Sequence, residues 1–477
     1  MDLRTFISAC ESAGELRRVK AEVDWNLEIS HVAKLTEEKK GPALLFENVK
    51  GHSSPVFTGA FGTEARLALV LGLPAKVSLC EAARQWMKNT ITAEGLIKAR
   101  EVKDGPVLEN VHEGAKVDLS MFPVPKFYPL DGGRYIGTAV FLVLRDPETN
   151  ETNLGTYRMQ MLDERSCGVQ ILPGKRGERI LKKYRKLGKK MPAAAVLGCD
   201  PLLFMAGTLM HKGASDFDIT GTIRGQQQEF LLAPLTGLPV PAGAEIVLEG
   251  HIDPENFRAE GPFGEYTGYR TSPRDFRVTF RVNAISFRND PTMTISNMGV
   301  PTDEGQLLRS FSLGLELDKL LRSQGIPITG VYMHPRSTHH MMIVGVKPTY
   351  AGIATQVAQL AFGSKLGPWF HMVVVVDDQT DIYDWNEVYH ALCTRCNPAR
   401  GIRVFEHTTG TPLYPHASPH ERRYSMGSQV LFDCLWPLDW DPVNDVPRLV
   451  SFKHVYPKEI QERVLSNWVS YGYAPVK

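Results

Sequence analysis

The chain reads as a mixed α/β protein of more than one domain, and three features predict this. At 477 residues it is too long for one compact core. Strand-like apolar runs crowd the middle, at 138–144, 157–161, 169–172, 194–197, 219–223, 245–248 and 278–284, a density expected of a barrel or sandwich. On either side, helical and strand-like stretches alternate, as they do where helices cover a sheet.

In chain order, Asp2 caps a helix whose apolar face is Leu3, Phe6, Ile7 and Cys10 and which ends at Gly14. A second helix is predicted over 27–35, a short strand over 42–46, and helices over 67–73 and 79–87, giving a small α/β domain at 1–115. The segment Phe122-Pro123-Val124-Pro125-Lys126-Phe127-Tyr128-Pro129, followed by Asp131-Gly132-Gly133, excludes regular helix. It belongs to the strand-rich domain, 116–302. One helix interrupts the strands at 178–187, and Lys182, Lys183, Arg185, Lys186, Lys189 and Lys190 lie on or after it. With Tyr184 as the sole aromatic there, a solvated face suits it better than base stacking.

A third domain, 303–440, opens with a helix at 306–322 and continues through an all-apolar strand at 372–376 and the acidic pair Asp377-Asp378. Its next helix, 385–396, is expected to start with a capping box of Asp384 and Glu387. The tail, 441–477, ends in an amphipathic helix at 457–469 carrying Ile460, Val464, Leu465 and Trp468. Such a helix docks on its own domain or on a neighbouring subunit.

Hydrophobic and charged shares of 43% and 22% are those of an ordinary globular protein, and a net charge of +1 gives no electrostatic reason to bind nucleic acid or an anionic membrane. No apolar run reaches membrane-spanning length, and Met1-Asp2-Leu3-Arg4 does not open like a secretory signal, so a cytoplasmic protein is expected. Seven cysteines in so long a chain do not form a disulfide framework. Cys393 and Cys396 close a helix rather than open one, and no second pair stands at zinc-ribbon spacing, so they read as buried structural thiols.

Chemistry concentrates in Glu260-Gly261-Pro262-Phe263-Gly264-Glu265. Pro262 and the two glycines keep this segment out of helix, and a loop can hold both acids near one point, where one ionised group raises the other's pKa. Upstream, Asn153-Leu154-Gly155-Thr156-Tyr157-Arg158-Met159-Gln160 places an arginine in an alternating segment, able to grip a carboxylate with two parallel hydrogen bonds. If Glu260 pairs with Arg158 and stays ionised, Glu265 is the acid left to move a proton. The residues alone support carboxylate recognition with general acid catalysis, and equally a buried salt-bridge network.

Together, Asn153…Arg158 and Glu260…Glu265 resemble the signature of the UbiD family of reversible decarboxylases, and the resemblance covers nearly the whole chain. It implies a central split β-barrel that binds flavin, between an N-terminal α/β domain and a C-terminal α/β domain used for assembly. Arg158, Glu260 and Glu265 would be the catalytic triad. The implied reaction is the reversible, non-oxidative decarboxylation of an α,β-unsaturated, aromatic or heteroaromatic acid, with release of CO₂. It leaves an sp² carbanion for which side chains offer no electron sink, and the resemblance supplies prenylated FMN. A flavin prenyltransferase would provide that cofactor, and the protein would be a homodimer or larger homo-oligomer. The alternative is a non-catalytic flavin-binding or accessory subunit.

The resemblance also assigns cofactor contacts to Asn153, Tyr157, Arg158 and Arg176, and to Lys365 in Gly363-Ser364-Lys365-Leu366-Gly367. Thr411-Pro412-Leu413 resembles a pocket-lining segment of the ferulic acid decarboxylase branch, with Tyr266 and Trp369 as further lining residues. The family bridges the flavin phosphate through a divalent metal such as Mn²⁺, held by Asn, His and Glu, together with a monovalent ion such as K⁺. Asn153 matches the first ligand and Asp216 stands at the place of the glutamate. The histidine's place falls on Arg176, which has no lone pair to give a metal but can neutralise a phosphate directly.

Overall fold

The computed structural model describes residues 1–88, 95–172, 174–209, 214–270, 273–300, 303–452 and 454–474. Among them, four sheets organise the chain. The first joins Leu16–Val19, Ala43–Phe46 and Val56–Thr58, and its fourth strand, Met293–Thr294, pairs in parallel with Val56–Thr58 from far along the chain. The helix Leu3–Ser12 covers this sheet through Leu3, Phe6, Ile7 and Cys10, and Asp2 caps it by accepting from the Thr5 amide, as the sequence predicts.

A nine-stranded sheet forms the centre. Its order is Tyr135–Gly137, Met159–Asp163, Ser166–Val169, Asp275–Phe287, Ile246–Glu260, Met191–Leu197, Val140–Arg145 and Thr152–Gly155, with Asn110–Glu113 also paired to Asp275–Phe287. It curls into a half-barrel. The two long strands run in register from Ile246 opposite Phe287 to Glu260 opposite Asp275, with bulges that bend the pair. Both faces are dry. Leu142 and Leu144 belong to one core while Phe141 and Val143 belong to another, which is why this strand reads as a continuous apolar run.

The third unit is a five-stranded sheet, ordered Ile328–Met333, Met341–Val346, Met372–Asp377, Met426–Asp433 and Ile402–Thr409, parallel in the middle and antiparallel at its edges. Glu304–Ser323 and Ile353–Gly363 pack on one face, and Trp385–Arg395 on the other through Val388 and Ala391. The remaining sheet has three short strands, Arg100–Glu101, Glu229–Leu232 and Pro239–Pro241.

Several expectations need correction. Residues 219–223 are not a strand but part of the helix Asp216–Arg224. Ser215 caps its start and left-handed Gly225 its end, and these caps override an alternation that is only local. The strands expected at 157–161 and 169–172 are Met159–Asp163 and Ser166–Val169, so Arg158 immediately precedes a strand. Asp384 caps its helix through the Asn386 amide, but Glu387 accepts from Asp381, so no capping box forms. Cys393 is exposed and Cys396 half-buried, both as free thiols, because this end of the helix faces outward. The terminal helix is Lys458–Ser466, and none of its residues is buried. No helix among the described residues is long and apolar enough to cross a membrane.

Candidate active site

Glu260 is the last residue of its long strand, and the chain then turns away through Gly261, whose φ of +86° is one that side-chain-bearing residues avoid. The turn is packed tightly: a Cβ at Gly132 would lie 2.0 Å from the Gly261 carbonyl oxygen, so the Gly132-Gly133 segment can approach only as glycine. Gly261 donates to Gln160 Oε1 at 2.7 Å, Gly264 to Asp131 Oδ1 at 3.1 Å, and Gly132 to the Pro262 carbonyl at 2.8 Å. These bonds fix the loop that carries both glutamates.

The loop brings the two acids to one guanidinium. Arg158 Nε and Nη2 donate in parallel to Glu260, each at 2.9 Å, and Nη1 donates to Glu265 Oε1. All three side chains are buried. Tyr135 donates to Glu260 Oε1 at 3.0 Å, and the Arg158 guanidinium lies over the Phe263 ring. Glu265 is therefore not the unpaired acid the sequence suggested. It shares Arg158 with Glu260, because curling of the sheet carries the strand end at Glu260 to the residue that opens Met159–Asp163.

The electrostatics still separate the two acids. Burial pushes the Glu265 carboxyl above its usual range, Arg158 opposes that, and the charges of Glu260 and Asp131 add to it. Arg158 itself is held more firmly protonated, since the two carboxylates outweigh its burial. Asp131 is raised to about 6 by burial, despite accepting from the Tyr128 and Gly264 amides. The group can thus hold a carboxylate-binding cation and a protonated carboxylic acid side by side.

Next to the triad lies a cavity lined mainly by apolar side chains. Its walls come from all three units: Phe57 and Phe61, then Thr138, Thr156 and Ser296, then Glu304, Arg309, His339 and Trp369. Tyr266, which follows Glu265, also lines it and stacks on His339 with ring centres 4.8 Å apart. The helix Glu304–Ser323 is locked to this wall: Gln306 donates to the Tyr266 carbonyl at 2.6 Å, and Glu304 accepts from Thr58, Gly59 and Phe61.

The other expected residues are spread around this centre. Trp369 is in the wall, but Thr411 and Leu413 are buried outside the lining, on either side of Pro412. Asn153 is buried with its Nδ2 unpartnered, and Tyr157 accepts from the Gly177 amide at the start of the helix Arg176–Lys186. Arg176 makes an exposed pair with Glu151, and Lys365 is exposed in a turn. Asp216 is the first residue of its helix. Among the described residues no three His, Cys, Asp or Glu side chains group as a metal site.

Sequence reasoning passed over Tyr135, Asp131, Lys175, Arg309 and His339. Arg309 had a signal: it stands among Leu307, Leu308 and Phe311, where an ordinary helix would present an apolar residue to a core.

Residues 7–86, 99–301 and 306–434 match the models of the N-terminal, Rift-related and C-terminal domains of 3-octaprenyl-4-hydroxybenzoate carboxy-lyase, the UbiD family. The chain belongs to the UbiD family. It is 29% identical to the pyrrole-2-carboxylic acid decarboxylase of Pseudomonas aeruginosa, over 99% of this chain and 98% of that protein. The closed form of vanillic acid decarboxylase from Sedimentibacter hydroxybenzoicus superposes with a TM-score of 0.87 at 28% identity, covering 98% of each chain. An evolved dimeric form of the UbiD-class enzyme HmfF from Pelotomaculum thermopropionicum, in complex with prFMN, gives 0.79 at 28% identity, over 92% of this chain and 96% of that one.

Within this UbiD-family fold, the cavity has mostly apolar walls with a few polar groups among them, as cofactor and small-ligand sites do. Buried, unpartnered Asn153 Nδ2, Tyr266 Oη and His339 Nε2 are groups that a polar ligand would satisfy. The residues present fit a flavin. They fit a divalent ion less well: Arg176, where the resemblance expects a metal ligand, has no lone pair to give one.

Proposed function

We propose that this UbiD-family carboxy-lyase decarboxylates an α,β-unsaturated, aromatic or heteroaromatic carboxylic acid, reversibly and without net oxidation, on prenylated FMN. One observation carries the reading: Arg158 holds two buried carboxylates, one by a bidentate pair and the other with its acid form favoured, beside a cavity with apolar and aromatic walls. When bound, the cofactor supplies the electron sink that this chemistry requires. Asn153, Tyr157 and Arg158 would face it. Arg176, at the positive end of its helix, and Lys365 would serve its phosphate.

The chain's own residues then divide the work. Arg158 orients the substrate carboxylate, and Glu260 keeps the guanidinium in place. Glu265 delivers a proton to the carbon that CO₂ leaves, and removes it in the reverse direction. Tyr266 and Trp369 give the acid flat walls, and the dry cavity strengthens the charge interactions inside it. The exposed terminal helix supports assembly with further copies of the chain.

The test is co-production with a flavin prenyltransferase, followed by cofactor mass and absorption and by CO₂ release from pyrrole-2-carboxylate and from cinnamate-type acids. Prenylated flavin with CO₂ release that depends on it is expected. A protein that retains the prenylated flavin, yet neither releases CO₂ nor exchanges it into any such acid, would overturn the reading.

A further inference from the structure

Two cations flank Trp369, in the cavity wall, with no anion to balance them. Lys175 Nζ lies 3.5 Å from the centre of the Trp369 ring, and the Arg309 guanidinium carbon lies 4.5 Å from it. Among the described residues, neither side chain has an ion pair or a hydrogen bond. Elsewhere carboxylates neutralise buried cations, Arg158 with Glu260 and Glu265, Arg66 with Glu15, and Arg224 with Asp200. Arg134, over Trp25, has no carboxylate either but gives its donors to the Phe122 and Val124 carbonyls, an outlet that Lys175 and Arg309 lack. Lys175 and Arg309 each keep part of their surface accessible, and Arg309 opens onto the cavity. Burial pushes both below their ordinary pKa, and the charge of Arg309 adds to the effect on Lys175. Two like charges so placed are disfavoured until an anion joins them.

We propose that Arg309 and Lys175 form an oxyanion subsite beside Trp369, and that its occupant is a second anionic group on the acid being decarboxylated. The proposal rests on the decarboxylase reading above and names its substrate class: a ring acid with a further carboxylate or comparable anion.

Position favours the substrate over the flavin phosphate as the source of that anion. Tyr266 follows Glu265 directly in the chain, and the Arg309 charge acts on the Tyr266 hydroxyl. Arg309 thus lines the same cavity as the residue that follows the proton donor. A flavin phosphate is carried on a ribityl chain, away from the reacting ring. The same wall offers Tyr266 Oη, which has Thr411 beside it, and His339 Nε2, buried without a hydrogen-bond partner. The Arg309 guanidinium lies over Trp369 and its donors have no protein acceptor, which leaves them for a bidentate pair.

The experiment measures binding to the flavin-loaded protein by calorimetry, with benzoate, benzene-1,3-dicarboxylate and benzene-1,4-dicarboxylate as probes. One dicarboxylate is expected to bind about ten- to a hundredfold more tightly than benzoate, the value of a charge-assisted pair. Arg309→Gln should remove that preference with benzoate affinity and flavin content unchanged, Arg309→Lys should keep part of it, and Lys175→Gln should reduce it. Equal affinity for all three probes in the unmutated protein would overturn the proposal. So would Arg309→Gln protein that folds normally, loses its flavin and keeps the dicarboxylate preference, since the anion would then be the cofactor phosphate. CO₂ release without any dicarboxylate preference fails the subsite alone. A dicarboxylate preference without CO₂ release from any acid fails the decarboxylase reading and leaves the subsite standing.

Discussion

Replacing Glu265 by glutamine separates proton delivery from everything else this residue does. The amide has the shape of the acid and keeps an oxygen for Arg158 Nη1. Arg158 retains its two bonds to Glu260, each 2.9 Å, so the guanidinium stays neutralised and in place. The stability change is then that of one charge-assisted bond becoming neutral, about 1 kcal/mol. Loss of a positioned proton donor lowers a rate by about a hundredfold to ten-thousandfold, or about 3–5 kcal/mol in the barrier. The two magnitudes differ enough to be told apart. Glu265→Gln protein should keep its unfolding midpoint within a few degrees and its full flavin content. Its turnover should fall at least about a hundredfold, and deuterium uptake from D₂O at the product carbon should fall in parallel. Near-normal turnover, with exchange intact, would refute the assignment of Glu265 as the acid.

The remaining predictions test the groups around it. Arg158→Ala leaves two buried carboxylates around a lost cation and should cost about 3–5 kcal/mol of stability, read by denaturant unfolding, as well as turnover; a well-folded variant with unchanged kcat/KM would count against the site. The raised pKa of Glu265 means that its proton persists above the usual carboxylate range and is lost as pH rises through that value. Turnover should therefore fall on the alkaline side of a pKa above 4.5, in a profile measured on the loaded enzyme. Asp131 is raised from 3.8 to about 6, so its share of stability is full below 3.8 and lost as pH climbs through 6. That displacement corresponds to about 3 kcal/mol: unfolding measured from pH 4 to 7 should show the decline in the unmutated protein and a shallower one in Asp131→Asn. The exposed Arg176–Glu151 pair is worth at most about 1 kcal/mol, so a phosphate can take the guanidinium from it. Arg176→Ala should therefore lose flavin where chelation does not, and stoichiometric manganese removed together with flavin would refute this.

Periodicity made the long elements legible. The capped helix at Leu3–Ser12 and the all-apolar strand Met372–Asp377 carry patterns that tertiary context only reinforces. The helix at Asp216–Arg224 was not legible, because Ile219, Thr220, Thr222 and Ile223 have the β-branched side chains of a strand while the deciding caps lie outside the run. The acids were legible from their loop chemistry, yet their arrangement was not. No spacing says that Arg158, just outside a strand, will meet the end of another strand with two strands between them, since that depends on how far the sheet curls.

The same reasoning explains why the cations at Trp369 escape a reading along the chain. Lys175 precedes a helix rich in lysine and arginine, most of them exposed, and by spacing alone it belongs with them. What sets it apart is a partner nearly two hundred residues away, in a different unit. Arg309 shares that partner from the helix Glu304–Ser323, whose start is tied to the N-terminal unit through Glu304 and to the triad loop through Gln306. A ligand anion at this point would therefore touch groups fixed to all three units at once. Closure around it, rather than any single contact, is what would place the reacting carbon against Glu265.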